Sequence, residues 1–86
     1  MLFMVIEKIE DVEAVRARFV ARGRMLPAGV EYLGSWGELD GRRWFQLMEA
    51  GDAAAIAEWT SQWEDLVAFE IFPVLSSQDF WATWTL

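Results

Sequence analysis

Apolar and polar positions change their period several times along the chain, and each change marks an element. Leu2 to Ile9 opens as a short apolar run of β-compatible residues that ends in Glu7 and Lys8, which predicts a strand buried on both faces. Asp11 is a good N-cap, and beyond it Val12, Val15 and Phe19 fall on one helical stripe while Arg16, Arg18 and Arg22 lie mostly off it. Gly23 can end that helix, and Pro27 prevents its resumption. Two extended runs then flank Asp40-Gly41, a strong signal for a two-residue hairpin turn. Gly51 punctuates and Asp52 offers the next N-cap. The run AAAIAEWTSQWEDL sets Ile56, Trp59, Trp63 and Leu66 on one side of an amphipathic helix with large aromatic knobs. Val67 to Leu75 reads as a last strand, and Pro73 inside it argues for an edge position or a bulge. The tail from Ser76 to Leu86 is apolar again and has no clear period.

The order is βαββαβ, which folds economically as two interleaved split βαβ units. This is the α+β, ferredoxin-like arrangement: a four-stranded antiparallel sheet with two helices on one face, in a single domain spanning 1–86 with an apolar tail over about 76–86. Phe, Met, Val and Ile fill both parities of the strands, so the face without helices is also apolar and needs a cover. A second copy of the same sheet would supply it, as an isologous homodimer closing a dimeric α+β barrel.

Composition strengthens the case for a partner. A chain of 86 residues buries only about 60% of the surface its unfolded form exposes, and small scaffolds usually add disulfides, metals or subunits. There are no cysteines and no histidines, so disulfides, thiolate nucleophiles, the usual zinc sites and the commonest general base are excluded. Oligomerisation is the remaining staple. The hydrophobic share is 55%, with six Trp and six Phe, which is rich for a soluble monomer. The net charge of −7 argues against nucleic acid and anionic membrane as partners. The six-residue apolar start is too short for a membrane span or signal core, and a cytoplasmic location is expected. No metal or cofactor is expected. The serine of GSWG has no histidine to activate it, and no phosphate-cradling loop or dinucleotide fingerprint occurs.

The segments RGRMLPAGVEYLGSW, WFQLMEA and EWTSQWEDLVAFEIFPV resemble a small bacterial domain family of unknown function, placed by similarity in the dimeric α+β barrel superfamily. The resemblance covers the chain up to about Leu75 and implies the fold derived above. The wider superfamily includes cofactor-free monooxygenases, muconolactone-type isomerases, haem-dependent dismutases and proteins with no known catalysis. The haem-binding histidine of the haem branch has no counterpart here.

A two-residue turn at Asp40-Gly41 sets the hairpin register. Glu38 then faces Arg43, Trp36 faces Phe45, Gly34 faces Leu47 and Tyr32 faces Glu49, all on one face. Leu33 with Met48, Ser35 with Gln46 and Gly37 with Trp44 share the other. The first face is an aromatic patch with a phenol opposed to a carboxylate, fit to hold a flat apolar ligand. Tyr32, Trp36 and Glu49 are therefore candidate ligand-binding residues. Glu7 joins them because the first strand neighbours the third, and two close carboxylates would push one pKa up. The structural alternatives are a Tyr32–Glu49 cross-strand hydrogen bond, a Glu38–Arg43 surface ion pair worth under ~1 kcal/mol, and Trp44 covering the gap left by Gly37. Arg22 and Arg24 fall at a helix C-terminus, where cations are favoured and can also meet an anionic group. Trp59 and Trp63 read as core knobs.

Three functions suit this picture: a homodimeric small-molecule-binding domain, a cofactor-free enzyme of monooxygenase or isomerase type acting on an aromatic or polyketide-like compound, or a purely structural or regulatory dimer. A cavity of useful volume between sheet and helices disfavours the last. A carboxylate buried inside it favours the enzyme over the carrier.

Overall fold

The computed structural model describes residues 1–84. Strands β1 (Leu2–Ile9), β2 (Glu31–Gly37), β3 (Arg43–Glu49) and β4 (Val67–Val74) form one antiparallel sheet in the order β2-β3-β1-β4. Helix α1 (Val12–Arg22) joins β1 to β2, and α2 (Ala53–Thr60) joins β3 to β4. This is the ferredoxin-like topology that the βαββαβ order predicts. Strand β1 lies in the centre, and the proline-bearing β4 is at an edge. There Pro73, which has no N–H to give to a ladder, costs nothing on the outer side.

Caps set the helix bounds. Asp11 Oδ1 accepts from Ala14 N–H and Asp52 Oδ1 from Ala55 N–H, both at 3.0 Å. Gly23, at φ 67, turns α1 off and donates to Phe19 O at 2.7 Å. Helix α2 is shorter than its pattern predicts: it stops at Thr60, and hydrogen-bonded turns carry the chain to Leu66. Thr60 Oγ1 and Ser61 Oγ donate back to Ala57 O and Glu58 O, local bonds that compete with the helical ladder. Trp63 still reaches the core, because the turns keep it on the face of Trp59.

The core lies between the sheet and the helices. Phe3, Val5, Ile9, Met48 and Val67 from the sheet meet Ile56, Trp59 and Trp63. Arg18 of α1 makes a bidentate bond to Asp65, both N–O distances being 2.7 Å, which ties α1 to the segment after α2. Among the described residues this is the one salt bridge. The expected Glu38–Arg43 pair does not form, and Arg43 lies over the Phe45 ring instead, 5.0 Å from its centroid.

The hairpin differs from expectation in two places. Its loop spans residues 39–42 rather than two residues. Gly41, at φ 73, donates to Glu38 O, while Asp40 Oδ1 accepts from Arg42 N–H and removes that group from the ladder. The register beyond is unchanged, with Gly37 on Trp44, Ser35 on Gln46, Trp36 on Phe45 and Gly34 on Leu47. A β-bulge at Leu33 then slips the pairing, so Tyr32 faces Met48 and Glu49 faces Glu31. One inserted residue moves a side chain to the other face of a sheet. Tyr32 therefore points to the helix side and is not opposed to Glu49.

The tail carries a third helix, α3 (Ser77–Ala82), capped by Ser76 Oγ accepting from Asp79 N–H. None of its residues is buried; Phe80, Trp81 and Trp84 cluster edge-to-face and tilted, with centroids 5.0 to 6.2 Å apart. The radius of gyration is 14.3 Å, against about 12 Å for a compact domain of this length, because the tail stands off the body. No described helix is long and apolar enough to cross a membrane.

Candidate functional site

Between α1 and the sheet lies an open cleft of about 380 Å³, within the range of small-molecule sites. It exists because α1 packs loosely. No residue of α1 is fully buried, and Phe19, at the end of its apolar stripe, rests on the rim rather than in the core.

The sheet forms the floor. Cross-strand register sets Glu7 of β1 beside Trp44 of β3, with Gln46 one step along the same face and Ser35 of β2 next to it. Trp44 lies flat over Gly37, where an added Cβ would sit 2.7 Å from the ring, and its indole N–H donates to Gly41 O at 2.7 Å. That glycine therefore allows the wall to form, as the pairing of Gly37 with Trp44 leads one to expect. Trp59 and Trp63 close the far side.

Polar groups are few and converge. Gln46 is 7% exposed; its Nε2 donates to Glu7 Oε1, and its Oε1 is buried with no partner among the described residues. A buried acceptor left unmade costs about 1–3 kcal/mol, so this carbonyl is poised for a donor. Glu7 is half-buried, and burial raises its proton affinity above the usual carboxylate value; the Gln46 hydrogen bond and the Arg24 charge partly oppose that rise.

Arg24 is held in place from both ends. Its guanidinium stacks 3.6 Å from the Tyr32 ring centroid and 5.2 Å from that of Phe19. Its carbonyl accepts from both Trp59 Nε1 (2.9 Å) and Trp63 Nε1 (3.1 Å), and the next carbonyl, of Met25, accepts from Gln62 Nε2. Met25 has φ 59, the one described non-glycine residue in the left-handed region, and these bonds hold that unfavourable conformation.

The four candidate residues separate. Glu7 lines the cleft. Tyr32 borders it, bracing Arg24 with its ring and sharing a 2.7 Å hydrogen bond with Ser35 Oγ. Trp36 and Glu49 lie on the opposite face, the first 61% exposed. Glu49 pairs with Leu2, five residues from Glu7 along β1, or roughly 17 Å. The proton affinity of Glu7 thus owes its rise to burial and not to a second carboxylate. Gln46 and Arg24 complete the site, although neither stands out by spacing. The sequence signal for Gln46 is a lone amide in the apolar run WFQLM. For Arg24 it is only a position just past the helix end.

Residues 1–85 match the model of a family described as a domain of unknown function, DUF3303. The chain belongs to that family. The match passes beyond Leu75, where the resemblance of the motifs stops, and takes in α3. No curated protein and no solved structure matches the chain.

Proposed function

We propose that this DUF3303 protein is a homodimeric small-molecule-binding domain that holds a flat, largely apolar ligand in the cleft between α1 and the sheet. The observation carrying this reading is the unpartnered Gln46 Oε1, more than nine-tenths buried, in a cleft otherwise walled by Trp44, Trp59 and Trp63. An unmet buried acceptor costs the fold stability, and a ligand whose donor reaches it offsets that cost. The homodimer is supported by the outer sheet face, where Met4, Phe45, Leu47 and Phe72 form a partly exposed apolar surface that no described helix of the same chain covers.

The raised proton affinity of Glu7 favours a second reading, a cofactor-free enzyme in which Glu7 moves a proton. It ranks second because among the described residues no further titratable acid lines the cleft beside Glu7, and the Tyr32 hydroxyl is already engaged with Ser35.

The test is tryptophan fluorescence against a panel of neutral phenols, naphthols and quinols. Quenching that Trp44→Phe removes and Trp36→Phe leaves supports the cleft. Quenching lost only in Trp36→Phe moves the site to the outer face and sinks this reading. Turnover of any panel member that Glu7→Gln abolishes promotes the enzyme.

A further inference from the structure

The charges facing the cleft have the opposite sign to the molecule. The chain carries −7 overall, yet its cleft is faced by two cations, Arg16 from α1 and Arg24 from the following loop, against one carboxyl, Glu7 from β1. The other lining groups, Ser35, Trp44 and Gln46 from the sheet and Trp59 and Trp63 from the α2 side, carry no charge. Among the described residues Arg24 has no carboxylate within salt-bridge distance. Its guanidinium is braced by two rings, and its backbone is pinned by two indoles. A cation fixed this firmly in one orientation, in no close ion pair among the described residues, is pre-organised for an anion that comes from outside.

Resting on the cleft as the ligand site, we propose that its ligand is an aromatic carboxylic acid bearing a hydroxyl or N–H donor, its carboxylate on the Arg24 guanidinium and its donor on Gln46 Oε1. The ring then lies against Trp44, and the two polar contacts select for both groups at once. A ligand lacking the donor leaves Gln46 Oε1 unsatisfied in a drier site, and a neutral analogue leaves Arg24 unpaired.

A consequence separates this arrangement from simple apolar binding. In the empty cleft the Arg24 charge draws the proton affinity of Glu7 down. An anion on Arg24 cancels that influence and excludes water, so Glu7 takes up a proton as the acid binds. Affinity for the acid therefore strengthens as pH falls, down to the point where the ligand's own carboxylate protonates.

The experiment is calorimetry on the full chain with 3-hydroxybenzoate, 3-hydroxybenzamide and benzoate, in buffers of differing ionisation enthalpy. The hydroxy acid is expected to bind at least ~10-fold more tightly than either analogue, equivalent to ~1.4 kcal/mol, with net proton uptake. Arg24→Met, which keeps the backbone carbonyl that Trp59 and Trp63 hold, should bring acid and amide within twofold of each other. Glu7→Gln should lose the proton uptake. Equal affinity for acid and amide in the wild type overturns the ligand class while leaving the cleft as a site. Absence of binding by all three, together with no quenching by neutral aromatics, overturns both.

Discussion

Gly37 and Trp44 show how far the absence of one Cβ reaches. The ring of Trp44 occupies the space a side chain at position 37 would need, and the same ring walls the cleft. Gly37→Ala is therefore expected to displace Trp44, destabilise the fold by about 1–3 kcal/mol and weaken aromatic binding, read from denaturant melts and fluorescence. Gly34→Ala is the control: its Cβ would meet only the edge of the exposed Trp36 at 3.3 Å, and it should cost less. Glu7 gives a second prediction with a definite sign. Its folded-state proton affinity is raised, so its contribution to stability is fully present below the unfolded pKa and is lost as pH rises through the folded value. Glu7→Gln should melt higher than the parent at neutral pH, and the gap should close in mild acid, where the parent's carboxyl is also neutral. The contrary result, a parent that is the more stable at neutral pH, means that the carboxylate is well solvated. The pairing of Gly37 with Trp44 is legible in the sequence because Asp40-Gly41 sets the register from one end. Tyr32 is not, because the slip at Leu33 is marked only by the neighbouring Gly34, and a glycine inside a strand does not say whether a residue is inserted beside it.

Among the elements, β1, β4 and the caps follow directly from residue pattern, since an apolar run, an edge proline and two aspartates each admit few alternatives. The end of α2 does not, because side-chain bonds from Thr60 and Ser61 outweigh a helical stripe that continues through Trp63. The loose seating of α1 is also invisible in a periodicity. Val12, Val15 and Phe19 promise a packed face, and only the three-dimensional fit shows that Phe19 ends on the rim of a cleft. α3 is the element with the clearest unmet contact. It stands off the sheet end and leaves a groove of about 800 Å³ against Met1, Leu2, Pro73 and Val74, with Trp81 and Trp84 more than 60% exposed. If these aromatics meet a second subunit, ending the chain after Ser76 should raise the dissociation constant of self-association at least tenfold in sedimentation equilibrium, with β-sheet content unchanged. Identical association by the truncated chain removes α3 from any interface.

Over the whole molecule, one face of the sheet is covered by helices and holds the cleft, and the other is bare and apolar. A homodimer that buries the bare face leaves the cleft of each subunit on the outside of the sheet pair, free to bind. Light scattering at micromolar concentration should return twice the chain mass of 9.9 kDa, and a clean monomer contradicts the closed barrel. The fold and the helix-covered layer were readable from order and periodicity. The cleft was half readable: of the four candidates Glu7 lines it and Tyr32 borders it, while Trp36 and Glu49 fall on the bare face, because sheet parity cannot say which face the helices cover once a bulge intervenes. The claim on which the rest depends is that a ligand enters beside Gln46. It is tested most directly by titrating isotope-labelled protein with 2-naphthol and following the Gln46 side-chain amide and the Trp44 indole N–H by NMR. Saturable shifts of these two signals, with the Trp36 indole unmoved, are the predicted result; shifts confined to Trp36, or no saturable shift at all, would contradict it.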